Sequence, residues 1–105
     1  HHAIERTVLD RYPGVFSGAE ILQNPTNFRG ILHPDHFTLH NSTIKSRWIQ
    51  TYKRIDSVVE PFKDSYSEIE KQFIRNEIIK ERDLIDANFS SQFIENIGTI
   101  GGIYL

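Results

Sequence analysis

His36 and His40 stand four residues apart in the stretch "HPDHFTLH". On a helix, residues i and i+4 point the same way, with Cβ atoms about 6 Å apart. Two imidazoles so placed can grip one divalent ion. An H-x-x-x-H pair alone carries little weight, because many such pairs only decorate a helix. This pair has company. Asn27 lies upstream with eight residues between it and His36, and His1 and His2 form an adjacent pair at the start of the sequence. The chain has no cysteine, so a transition-metal site must be built from histidine and carboxylate. Neutral histidine serves both as metal ligand and as general base near pH 7. His33, the remaining histidine, has no partner in this spacing and reads as a cap or a surface residue.

These side chains need elements to hold them. Residues 4–12, "IERTVLDRY", read as a short amphipathic helix, with Ile4, Val8 and Leu9 on one face and Pro13-Gly14 as its stop. "SGAEIL" at 17–22 adds one further turn, with Ser17 as N-cap. "NPTNFRGI" begins in a turn and suits a short strand over 26–31. A helix is expected from "HPDH" onward, with Pro34 at its first position and Asp35 at its positive end. It should run through "FTLHNSTIKSRWIQTYKRID", with Ile44, Trp48, Tyr52 and Ile55 facing the core. Pro61 marks a connection. A long helix over about 66–87 follows, capped by Ser65 or Ser67. Its stripe is Ile69, Phe73, Ile78 and Ile85, widened by Ile74 and Ile79. Its charged residues, Glu81 among them, form the opposite, solvated face. "NFSSQFIENI" suggests a last short helix. The tail "GTIGGIYL" reads as a terminal strand or part of an interface.

The 105 residues suffice for one domain with a single core. No apolar run is long enough for a membrane-spanning helix, and no signal-peptide pattern is present. Charge is unevenly spread. Residues 1–54 carry seven Lys/Arg against four acids, a balance of +3, and residues 55–105 carry five against ten, a balance of −5. The basic, histidine-rich half suggests an anionic ligand.

The order His-His, Asn27, eight residues, His36, three residues, His40 resembles the HNH (ββα-metal) nucleases. From Asn27 on, its spacing is that of the colicin-type and pyocin-type DNases. The gap of 24 residues between the His pair and Asn27 is longer than the hairpin of the colicins, and the helix expected at 4–12 would fill it. A second resemblance is to the C-terminal nuclease toxin domains of bacterial Rhs and contact-dependent-inhibition proteins. It rests on His1-His2, "NFRGI" at 27–31 and "LHNSTIKSRW" at 39–48, and covers most of residues 1–55. No resemblance extends beyond residue 55.

The resemblance implies an α+β, predominantly α-helical fold: a small ββα-metal core within residues 1–55 and a helical C-terminal part over 56–105. It implies His1, His36 and His40 as ligands of one divalent ion, of zinc, nickel or magnesium. It makes His2 the base that activates water, and Asn27 the residue that orients the base-bearing segment. Arg29, next to the hairpin, and Lys45 and Arg47, on the metal helix, are candidates for phosphate contacts. The activity implied is hydrolysis of DNA phosphodiesters by a bacterial toxin module. Such a module is delivered by a secretion system into a target cell's cytoplasm and is neutralised by an immunity protein. Two alternatives stand beside this: an RNase on the same scaffold, and a non-catalytic helical binding module in which His1-His2 is the stub of a tag.

Overall fold

Among the residues that the computed structural model describes (2–31, 39–89 and 93–94), about two thirds are helical. The core is organised by two helices. One is α2, Lys45–Asp56. Ile44, just before it, and its residues Trp48, Tyr52 and Ile55 are buried, as the helical spacing of these four residues anticipates. A wide π-type turn, Leu39–Ile44, leads into α2. The other is α3, Glu68–Phe89, opened by a reciprocal cap. Ser67 Oγ accepts from the Glu70 backbone N–H at 3.1 Å, and the Glu70 carboxylate accepts from the Ser67 N–H at 2.9 Å.

The buried side of α3 is rotated from the stripe expected for it. Ile74, Ile78, Glu81 and Ile85 are buried, whereas Ile69 is 84% exposed. Ile69 lies in the first turn, ahead of the stretch that packs. Glu81, expected on the solvated face, lies inside between the two helices.

The N-terminal segment covers the other side of this pair. α1 is a five-residue piece, Thr7–Arg11, shorter than the helix expected at 4–12. Ile4 belongs to a bent lead-in whose backbone bonds to Asn27. Gly14, at φ +83°, turns the chain after Pro13 in a conformation that favours glycine. Val8, Tyr12, Val15, Phe16 and Ile21 bury themselves against the α2–α3 pair. The expected turn over 17–22 is present as a π-type turn, Ala19–Gln23. Ser17 caps it: its Oγ accepts from the Glu20 N–H at 3.1 Å, while the Glu20 carboxylate accepts from the Ser17 N–H at 2.7 Å.

Among the described residues the expected ββα core is not formed, and the fold class is corrected to a predominantly helical one. Extended pairing among the described residues comes to one isolated antiparallel bridge, His2 with Phe28, and a ladder of two residues a side. That ladder joins β1, Gly30–Ile31, to β2, Phe93–Ile94. The physical reason lies in "NPTN". Residues Pro25–Asn27 wind into a 3-10 turn, which uses up the first two residues of the strand expected over 26–31. The last short helix is corrected as well. Phe89 still belongs to α3, and Phe93–Ile94 lie in the ladder. The first turn of the helix expected from Pro34 onward, over 34–38, and the tail "GTIGGIYL" lie outside the described residues.

Candidate functional site around His2 and Asn27

Asn24 begins the site. Its side-chain oxygen accepts from Thr26 N at 3.1 Å and from Thr26 Oγ1 at 2.9 Å, the self-made turn that Asx residues favour. Pro25 supplies the first residue of the 3-10 turn, and Phe28 N–H closes it on the Pro25 carbonyl at 3.1 Å. The turn delivers Asn27 to the interior, where it is 5% exposed.

There Asn27 grips the N-terminal segment. Its Oδ1 accepts from Ile4 N–H at 2.8 Å. Its Nδ2 donates to the Ile4 carbonyl at 3.1 Å and to the Ile21 carbonyl at 2.9 Å. Its own carbonyl accepts from Ala3 N–H at 2.6 Å. One amide thus satisfies both backbone groups of a residue 23 positions away. A buried side-chain amide with both ends engaged is a rigid fixture.

His2 comes immediately before the gripped residues. It bridges to Phe28, and the two rings lie 5.0 Å apart, tilted by 52°. The imidazole is half-buried, and its pKa is lowered. Loss of hydration is the chief cause, followed by positive charge at the chain start and on Arg6. A neutral imidazole is a proton acceptor.

A second anchor holds the same segment. Tyr52 Oη donates to the Glu5 carboxylate at 2.6 Å. Burial pushes the Glu5 pKa up, against the opposing pull of Tyr52 and the charge of Lys45. Tyr12 Oη donates to Asp56 at 2.7 Å, and Arg11 pairs with the same carboxylate. Burial and the neighbouring Asp56 carboxylate push the Tyr12 pKa well up, so its hydroxyl stays protonated. Nothing in the composition of residues 4–12 marks Glu5 as an inward-facing acid. Glu81 is seven residues after Ile74 and three after Ile78, a position on the buried side of α3, but its charge argues the other way.

The expected phosphate contacts are placed unequally. Arg29 is turned onto α3, bonding both oxygens of Asp86 at 2.9 and 2.7 Å. Its Nη1 also donates to the carbonyls of Thr26 and Phe28. Arg47 donates to Glu81 at 3.2 Å, and Thr51 Oγ1 donates to the other Glu81 oxygen at 3.1 Å. Both arginines therefore tie the chain together. Lys45 is exposed at the start of α2.

Of the expected metal ligands, His1 and His36 lie outside the described residues. His40 has its backbone in the π-type turn Leu39–Ile44. Among the described residues no three metal-binding side chains gather. The structure thus brings Asn27 and the His2 segment together and leaves the convergence of the three ligands unaddressed. Among the described residues, no helix is long and apolar enough to cross a membrane. Compared with known protein families, curated proteins and solved structures, the chain shows no significant match.

Proposed function

We propose that this chain is a metal-dependent endonuclease domain in which His2 is the general base and Asn27 its positioning residue. The observation that carries the reading is the grip of Asn27 on both backbone groups of Ile4, two residues from His2. A base must be held to a fraction of an ångström to act on water. A buried amide that immobilises the segment carrying an imidazole is a means to that end. The burial that favours neutral His2 suits the same role. Wide π-type turns are rare and concentrate at functional sites, and one of them holds the backbone of His40.

His1, His36 and His40 are the proposed ligands, and the fit rests on the chemistry of the set. Imidazoles suit zinc or nickel better than magnesium. A bound divalent ion supplies Lewis-acid stabilisation to the phosphate and the leaving oxygen. His2 takes the proton from the attacking water on a ring nitrogen. Asn27 keeps its segment from drifting. The motif is proposed on a helical body, without a ββα core. Action as a delivered bacterial toxin against DNA, countered by an immunity protein, is part of the same proposal and is supported by the motif alone.

The test is cleavage of supercoiled plasmid with added zinc, nickel or magnesium, with and without chelator, beside His2→Ala. The expected result is metal-dependent nicking that falls about 10²–10⁴-fold in the variant. Cleavage of RNA alone would make the enzyme an RNase. If neither nucleic acid is cut under any metal, the proposal fails.

A further inference from the structure

A second feature lies on the far side of Asn27. The Ala19–Gln23 turn, the Asn24–Asn27 turn and the middle of α3 enclose a cleft of about 130 Å³. Its floor is apolar, from Ile4, Ile21 and Ile79, and its rim carries Asn24, Thr26, Glu20, Arg75 and Arg82.

The charges on that rim do not cancel. Arg75 is fully engaged: it donates to Glu20 at 2.7 Å and to the Val15 carbonyl at 3.1 Å, and lies 4.5 Å over the Phe16 ring. Glu20 is thereby ion-paired at the cleft, and that same guanidinium holds its carboxyl below the usual range. Arg82 is different. Its partner among the described residues is its own neighbour Asp83, through Nε and Nη2, both to one oxygen at 3.1 and 2.9 Å. Asp83 is 62% exposed in its side chain and is not part of the cleft wall. An exposed pair of this kind contributes little and exchanges readily. Among the lining side chains the balance is thus one positive charge, that of Arg82, whose partner Asp83 sits outside the cleft, and it lies beside a side-chain amide and a hydroxyl.

We propose that this cleft binds a phosphate group, with Arg82 as its principal contact and Asn24 as a neutral donor. The guanidinium is a planar donor suited to phosphate oxygens; Asp83 holds its Nε and Nη2, so the anion takes Nη1 or displaces Asp83. The Asn24 oxygen is used up in bonds from Thr26 N and Oγ1, which fixes the amide so that its NH2 group is left to donate. Arg75 shapes the wall and keeps Glu20 from repelling the anion. The group bound is a backbone phosphate of DNA or a free phosphate. The inference is independent of the role proposed for His2, since binding needs no cleavage.

The experiment is ¹⁵N-detected titration of the intact chain in chelator, following Arg82 Nε–H, the Asn24 side-chain amide and Thr26 N–H. One arm adds inorganic phosphate, a second a short DNA duplex, and a third sodium chloride at matched ionic strength. The expected result is saturable shifts at these three groups with phosphate or duplex and none with chloride. Arg82→Gln, a surface change, should weaken the response about tenfold. Shifts with duplex at lower concentration than with phosphate identify a nucleic-acid contact, and shifts with phosphate alone identify a small-anion site. Equal shifts with chloride, no shifts, or an unaltered response in Arg82→Gln overturn the proposal. Cleavage that is lost while phosphate still binds would separate the failure of the nuclease reading from this one.

Discussion

At the scale of single residues, Asn27 does the most per atom. Its removal strands three backbone groups, the N–H and carbonyl of Ile4 and the carbonyl of Ile21. Each unsatisfied buried group costs about 1–3 kcal/mol, less where water can enter. Asn27→Ala is expected to lose about 2–4 kcal/mol by urea unfolding. Asn27→Asp keeps the acceptor for Ile4 N–H but aims a second oxygen at two carbonyls, so it should lose at least as much at neutral pH. A loss under about 1 kcal/mol for both would show that the grip is not structural. Glu20 gives a pH-dependent counterpart. Arg75 first, and then the Ser17 backbone N–H, hold its carboxyl below the ordinary 4.5. A carboxyl with a depressed folded pKa stabilises fully above its unfolded value, and that stability drains away as pH falls through the folded value. In urea midpoints followed from pH 7 down into the acid range, Glu20→Gln should flatten the decline below about pH 4.5. Glu5 works in the opposite sense. Its raised pKa makes its contribution greatest in acid and smaller once it ionises.

At the scale of elements, the α2–α3 contact is set by polar residues in an apolar seam. Glu81 is 7% exposed in its side chain, and Arg47, its partner, is 33% exposed. Thr51 fixes the second carboxylate oxygen. Arg54 and Glu77, 3.2 Å apart, repeat the pairing further along α2. Breaking a buried pair from one side is costly because the other charge stays behind. Glu81→Ala should therefore lose about 2–3 kcal/mol, discounted for the partial exposure of Arg47. The double change Arg47→Met with Glu81→Leu should recover most of that by thermal unfolding; if the double variant stays as unstable as the single one, packing rather than charge sets the seam. The α2 stripe from Ile44 to Ile55 is legible in the sequence because period 3.6 and burial coincide there. The α3 stripe is less so. Ile69 and Glu81 break the rule that apolar residues go in and charged ones out, and only the partner helix decides between them. The wide turns at 19–23 and 39–44 are not legible, since a π-type turn uses the same residues as an α-helical one and differs only in which carbonyl each N–H reaches. The strand over 26–31 was half legible: the alternation of "NFRGI" was there, but the Asn24–Pro25 signal for a turn carried through to Asn27. Of the candidate site, the pairing of Asn27 with the His2 segment was legible only through motif resemblance. No local pattern ties residues 23 positions apart.

At the scale of the whole molecule, the charge asymmetry changes meaning. The sequence sets a basic, histidine-rich first half against an acidic second half and suggests an anionic ligand for the first. In the fold the halves neutralise each other. Arg11 pairs with Asp56, Arg29 with Asp86, Arg47 with Glu81 and Arg54 with Glu77. Four of the seven bases in residues 1–54 are thus committed to acids of residues 55–105, and the remaining three are Arg6, Lys45 and Lys53. All three are exposed. The same pairing runs in reverse where Arg75 reaches Glu20. This bears on how the chain can hold nucleic acid. Each phosphate neutralised on duplex DNA releases counterions and adds about −0.9 to the slope of log K against log salt. If all seven bases faced the duplex the slope would approach about −6, whereas these three with Arg82, four in all, give about −3.6. Fluorescence anisotropy of a labelled duplex in chelator, across a salt series, is expected to give the shallower value. Lys45→Gln should lower the slope by about one without lowering the melting temperature, because its side chain is exposed. Arg29→Gln should lower the melting temperature and leave the slope nearly unchanged, because its guanidinium is held by Asp86. A slope near about −6, or one that drops by a full unit in Arg29→Gln, would mean that these pairs open on the nucleic acid and that the basic half acts as a patch after all.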